Sequence, residues 1–124
     1  MPAALETPDA RHPITITPSQ KRIRVLFNGK VMADSRRALE LKEAVLRTVY
    51  YIPRADADLF FFKRTAHMTH CPYKGDANYF SLVDGAMRAE NAAWTYERPG
   101  ATVAAIAGRL AFYPDKVEIQ LLQI

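Results

Sequence analysis

Apolar and polar residues alternate with a period of two over much of this chain. Ile23, Val25 and Phe27 stand alternately with Arg24 and Leu26; Asn28-Gly29 follows, and then Lys30-Val31-Met32-Ala33. Asn-Gly between two such runs predicts a β-hairpin, because both residues accept the positive φ of a type I′ turn. Residues 78–83 form another strand-like run, turned at Asp84-Gly85 into a further one from Ala86 to Tyr96. Asp-Gly is again a hairpin signal. Thr48-Val49-Tyr50-Tyr51-Ile52 is β-branched and aromatic and is stopped by Pro53, so it reads as a strand. Val117, Ile119 and Leu121 alternate with Glu118 and Gln120, as a half-buried strand requires. Pro114-Asp115 is a turn pair linking that strand to the strand-like run 109–113.

Other segments read less simply. Residues 35–46 suit a short helix capped by Asp34 or Ser35, with Leu39, Leu41, Val45 and Leu46 as its apolar positions. A strand followed by a loop fits the same residues. Phe60-Phe61-Phe62 is expected in the core, given how heavily Phe is buried. Arg98-Pro99-Gly100 is a turn, and residues 101–107 form one or two helical turns ended near Gly108. Pro2, Pro8, Pro13 and Pro18 make residues 1–20 an extended lead-in, in which Ile14-Thr15-Ile16-Thr17 alternates as a sheet-edge piece would. The expectation is a mainly β fold of compact antiparallel hairpins with little helix, in a single domain over residues 21–124.

Composition changes this picture little. At 124 residues the chain has room for one self-sufficient core. No run approaches the ~20 apolar residues of a membrane span, and no secretory signal is visible, so a cytoplasmic protein is expected. One cysteine cannot form an internal disulfide. The net charge of +4 reads as a solvated mixed-charge surface and argues against nucleic acid as a partner. Arg22, Arg24, Arg36 and Arg37 come closest to a basic cluster, but they do not form a solid run.

The candidate chemistry lies in two segments. His67 to Tyr79 holds His67, His70, the sole Cys71, Tyr73 and Lys74-Gly75. Zinc is not expected there: His70 and Cys71 are adjacent, which is awkward for joint ligation, and no second Cys pair exists. Cys71 is a nucleophile candidate with His67 or His70 as base, although a lone Cys often simply packs in a core. Lys74-Gly75 in a loop could offer an ammonium and a backbone N–H to an anion, without being a P-loop. The second segment, Glu90 to Glu97, puts Glu90, Ala92, Trp94 and Tyr96 on one face if it is a strand. A carboxylate beside Trp and Tyr suits a small polar-aromatic pocket.

Five blocks together resemble the bacterial and fungal family called domain of unknown function 427. They are residues 22–29 with Ala33-Asp34-Ser35, Val49-Tyr50-Tyr51-Ile52-Pro53, residues 69–79, residues 90–97, and residues 106–113. Cys71-Pro72-Tyr73-Lys74-Gly75 and Ala93-Trp94-Thr95-Tyr96 are the most specific, and the resemblance runs over roughly residues 12–118. It implies a compact mainly β fold similar to the β-tent, the class that includes methionine sulfoxide reductase B and several zinc-binding domains. Those relatives commonly hold zinc with two Cys pairs, so the single Cys71 implies the fold without the metal. A nucleotidyltransferase-like label has been attached to the family, but this chain lacks the paired Asp motif and the Gly-Ser signature such chemistry needs.

The combined expectation is a pocket for an unidentified anionic small molecule, with no cofactor and no metal. Cys71, Tyr73, Lys74 and Gly75 form one wall, with His70 and Tyr51 nearby; Glu90, Trp94 and Tyr96 form the other. Lys74 holds the anion, and Glu90 and Cys71 are the candidates for chemistry. The rival expectation is a non-enzymatic interaction module whose Tyr/Trp/Arg surface meets a protein or nucleic-acid partner. Exposed β edges leave a homodimer open.

Overall fold

A computed structural model describes residues 5–124; the first four residues of the expected lead-in lie outside the described residues. The chain is mainly β: 57% of the described residues are strand and 10% helical, and among them the helical part is 3-10 turns only. The strands are β1 (Ile14–Pro18), β2 (Lys21–Phe27), β3 (Lys30–Ser35), β4 (Leu39–Glu43), β5 (Val49–Tyr51), β6 (Phe62–Cys71), β7 (Gly75–Asp84), β8 (Met87–Thr95), β9 (Ala111–Phe112) and β10 (Glu118–Gln123). They form three antiparallel sheets in the orders β1-β4-β5, β10-β2-β3 and β6-β7-β8-β9. Reciprocal backbone bonds between Ile52 and Leu110 tie the strand end after β5 to the approach to β9.

Local turn chemistry sets the hairpins. Asn28 and Gly29 both have positive φ (53° and 74°), and they join β2 to β3 as expected. Gly85-Ala86 joins β7 to β8, one residue further on than the expected Asp84-Gly85 turn, with Asp84 paired to Met87 and Gly85 at φ 58°. The β6–β7 connection is Pro72-Tyr73-Lys74, closed by pairing of Cys71 with Gly75. Gly75 has φ 111°, a backbone region closed to residues with a Cβ. The sequence Ile14–Thr17 lies along a sheet edge, since β1 pairs only with β4 in its sheet.

Three segments differ from, or decide between, the expected readings. Of the two readings for residues 35–46 the strand followed by a loop holds and the helix does not: Leu39–Glu43 is a strand that buries Leu41 and Glu43, with a turn after it. The three phenylalanines do not share the core, because Phe60 is 80% exposed at the tip of a 3-10 turn while Phe62 is buried. Residues 62–71, given no element by the sequence pattern, form the ten-residue edge strand β6.

The core has two centres. Ile23, Val25, Met32, Ile52, Phe62, Leu82 and Leu110 pack in the first. The second is aromatic: Tyr51, Tyr79 and Tyr96 pack with Leu41, Val103 and Ile106. Near it the long hairpins are bulged twice. Tyr79 alone faces Thr65, Ala66 and His67, and Ser81 alone faces Glu90, Asn91 and Ala92. Asn91 takes a left-handed φ of 48° in the second bulge, and its N–H donates to Ser81 Oγ at 2.9 Å. Bulges of this kind re-aim side chains, and here they interrupt the alternation between Glu90 and Trp94.

Candidate functional site

The aromatic centre gathers Tyr51, Cys71, Lys74, Trp94 and Tyr96 from the two expected walls. Lys74 is nearly buried, and its Nζ donates to Glu43 while lying 5.8 Å from the Tyr96 ring centre. His12 Nε2 reaches the other oxygen of Glu43 at 2.7 Å, and the His12 ring stacks on Tyr73 with centroids 3.9 Å apart. Burial alone would raise the Glu43 pKa, but the hydrogen bonds from Lys74 and His12 outweigh it and hold the carboxyl below its ordinary range. The anion beside Lys74 is therefore one of the chain's own carboxylates. Tyr51 accepts a hydrogen bond from Trp94 Nε1 at 3.3 Å, and burial pushes the phenols of Tyr51 and Tyr96 well up, so both stay neutral.

Glu90 lies elsewhere. It is exposed, and its carboxylate takes Arg88 Nε at 2.6 Å, which with the neighbouring Lys116 keeps its pKa low rather than high. Cys71 is a half-buried thiol packed on the aromatic centre. His70 is exposed with Nδ1 2.8 Å from Asp76, and with Gly75 it borders an open depression that also includes Glu97 and Arg98. Among the described residues no group of His, Cys, Asp and Glu is arranged to hold a metal ion.

The one predicted residue that borders an apolar recess is Trp94. On β2, Ile23 and Val25 stand directly opposite Leu121 and Ile119 of β10, and these four make one wall. Val49 and Tyr50 of β5, Ile52, Trp94 of β8 and Phe112 of β9 make the other. The recess is about 250 Å³ and opens past Pro114, Thr48 and the exposed Arg47. Arg47 forms no ion pair among the described residues. A site of about 150 Å³ is enough for benzene, so this one has room for a ring or a short chain.

Behind Trp94 the aromatic contacts continue. Its ring meets Tyr113 with centroids 4.5 Å apart, and Tyr113 Oη lies 3.1 Å from Tyr79 Oη, which is 2.9 Å from Thr69 Oγ1. Burial and the bond to Tyr79 together push the Tyr113 phenol up. Sequence reasoning missed Arg47, Phe112 and Glu43 as neighbours of the candidate residues. For Glu43 a signal existed, since the strand phase set by Leu39 and Leu41 puts Glu43 inside as well.

Among curated proteins none matches this chain. Among the described residues no helix is long and apolar enough to cross a membrane. The family model described as Domain of unknown function (DUF427) matches residues 15–123, a span holding the β2–β3, β6–β7 and β7–β8 hairpins, the Glu43–Lys74 pair and every wall of the recess, and the chain belongs to that family.

Proposed function

We propose that this protein binds a small molecule with an apolar body and one acidic group in the recess beside Trp94. The observation that carries the reading is the pairing of that apolar recess with a cation, Arg47, left free at its mouth. An apolar cleft with few well-placed polar groups is the usual form of a small-ligand site. The ligand's body would lie between Ile119 and Leu121 on one side and Trp94 and Phe112 on the other, and its carboxylate would meet the Arg47 fork. Lys74 is given a different role from that expected of it, as the partner of Glu43. Cys71 and Glu90 do not border the recess, so the reading is one of binding, with no reaction attached.

Calorimetric titration with octanoate, and with octanol as its neutral counterpart, tests the proposal. Octanoate should bind saturably and more tightly than octanol. Arg47→Ala should weaken octanoate roughly tenfold, the loss of one charge-assisted contact, and leave octanol unchanged. Equal affinity for the two compounds, or no effect of the substitution, would remove the assigned role of Arg47.

A further inference from the structure

The outer face of β2 carries a second feature that the recess does not use. Alternation along β2 turns Ile23 and Val25 inward and leaves Arg22 and Arg24 on the opposite face, where Arg24 stands across from Asp34 of β3. Arg36 and Arg37 follow directly after β3, and Arg109 joins them by donating to the Arg37 carbonyl at 2.9 Å. Five guanidinium groups thus surround two carboxylates, Asp34 and Asp56.

The aspartates are fully engaged. Arg22 grips Asp34 with two bonds of 2.8 and 2.6 Å. Arg37 does the same to Asp56 at 3.3 and 2.9 Å, and Ser35 Oγ adds a third bond at 2.7 Å. The arginines are not all satisfied in return. Arg24 Nε is shielded from solvent with no hydrogen-bond partner among the described residues; Asp34 at 3.8 Å is close enough for attraction but too far for a bond. Arg36 forms no ion pair among the described residues, although its charge is felt at Asp34. Burial, and then the like charge of Arg37, lower the pKa of Arg109. Two independent signs, an orphaned donor and mutual repulsion, thus mark a deficit of negative charge at one place. Beside Arg24 and Arg109, the side chains of Arg22, Asp34, Arg36, Arg37 and Asp56 enclose a cleft of about 340 Å³.

We infer that this cleft is a site for the phosphate group of a small phosphorylated molecule, held by Arg36 with the outer nitrogens of Arg22 and Arg37, while Arg24 adds its charge from beside the cleft. A phosphate group suits it better than a carboxylate. It brings up to two charges, and its three oxygens point in different directions, as do guanidiniums arriving from β2 and from the β3–β4 connection. Asp34 and Asp56 orient Arg22 and Arg37, so that less side-chain freedom is lost on binding.

The test is calorimetric titration of the full chain with pyrophosphate, and with a single-stranded oligonucleotide at matched phosphate concentration. Pyrophosphate should bind saturably, and Arg36→Ala and Arg24→Gln should each weaken it roughly tenfold while the unfolding midpoint of Arg36→Ala stays at the wild-type value. Octanoate affinity should not change, because the recess lies on the other face of the sheet. Absence of saturable pyrophosphate binding, or binding indifferent to both substitutions, would overturn the inference. Oligonucleotide binding that is tighter than pyrophosphate, steeply salt-dependent and lost in the same variants would overturn it in favour of a nucleic-acid surface.

Discussion

Lys74 and Glu43 form a nearly buried ion pair, and the two residues are 31 positions apart in sequence. Taking one member of such a pair away leaves an uncompensated charge in low dielectric and typically costs about 3–5 kcal/mol. The two members are not equivalent here. Lys74→Met leaves Glu43 with His12 still in contact, whereas Glu43→Leu leaves Lys74 with only the face of Tyr96. Urea unfolding should therefore show Glu43→Leu as the more damaging substitution, with Lys74→Met milder. The double variant should lose clearly less than the sum of the two, because the second change removes the charge that the first one stranded. Additive losses, or single losses under about 0.5 kcal/mol, would mean that the pair is solvated and not structural. The sequence did flag Lys74 as a cation awaiting an anion. The identity of the anion was not legible, since nothing local links position 43 to position 74.

Elements were legible where local chemistry decides them and obscure where tertiary context does. Asn28-Gly29 forms its turn as read, and Gly85 turns the second hairpin one residue later than the Asp84-Gly85 reading, through backbone conformation alone in both cases. β6 escaped notice because it is an edge strand: nearly all of residues 63–70 are exposed, so neither face alternates. Residues 35–46 offered both a helical and a strand period, and pairing of β4 with β1 and β5 chose the strand. The Glu90-to-Trp94 face failed for a different reason, the bulge at Asn91, which no propensity announces. The turn before β7 offers a quantitative check on how the element is built. A Cβ at Gly75 would stand 3.5 Å from the Arg98 carbonyl oxygen, an ordinary contact, so the cost of Gly75→Ala is backbone strain at φ 111°. That cost should be about 1–3 kcal/mol by chemical denaturation. Gly29→Ala, at φ 74° with open space around it, should cost about 1 kcal/mol. A smaller loss at Gly75 than at Gly29 would contradict the assigned turn.

Across the whole molecule, three sheets meet around two cores, and several carboxylates are tied to cations distant in sequence. Hydrogen bonds from Arg22 to Asp34, Arg37 to Asp56 and Arg64 to Glu97 hold those acids below their ordinary pKa values. Glu43 is also lowered, against the opposing effect of its burial. A carboxyl whose folded pKa lies below its unfolded value contributes stability that is complete above the unfolded value and is lost as pH falls through the folded one. Stability from these groups should hold down to about pH 4–5 and then decline with further acid. The melting temperature followed from pH 7 to pH 2.5 should show that fall, and a flat or rising profile would contradict it. The recess is legible only at this scale, because its walls come from β2, β5, β8, β9 and β10 and no single segment contains two of them. Trp94 is the only tryptophan in the chain, so its fluorescence reports on the recess without interference from another indole. The decisive measurement is Trp94 emission during titration with octanoate, in the wild type and in Val49→Phe, whose added ring fills the space. A ligand bound against the ring predicts a saturable change in the wild type that is absent in Val49→Phe at unchanged melting temperature. Emission that does not respond, or that changes alike in both proteins, would contradict a binding site beside Trp94.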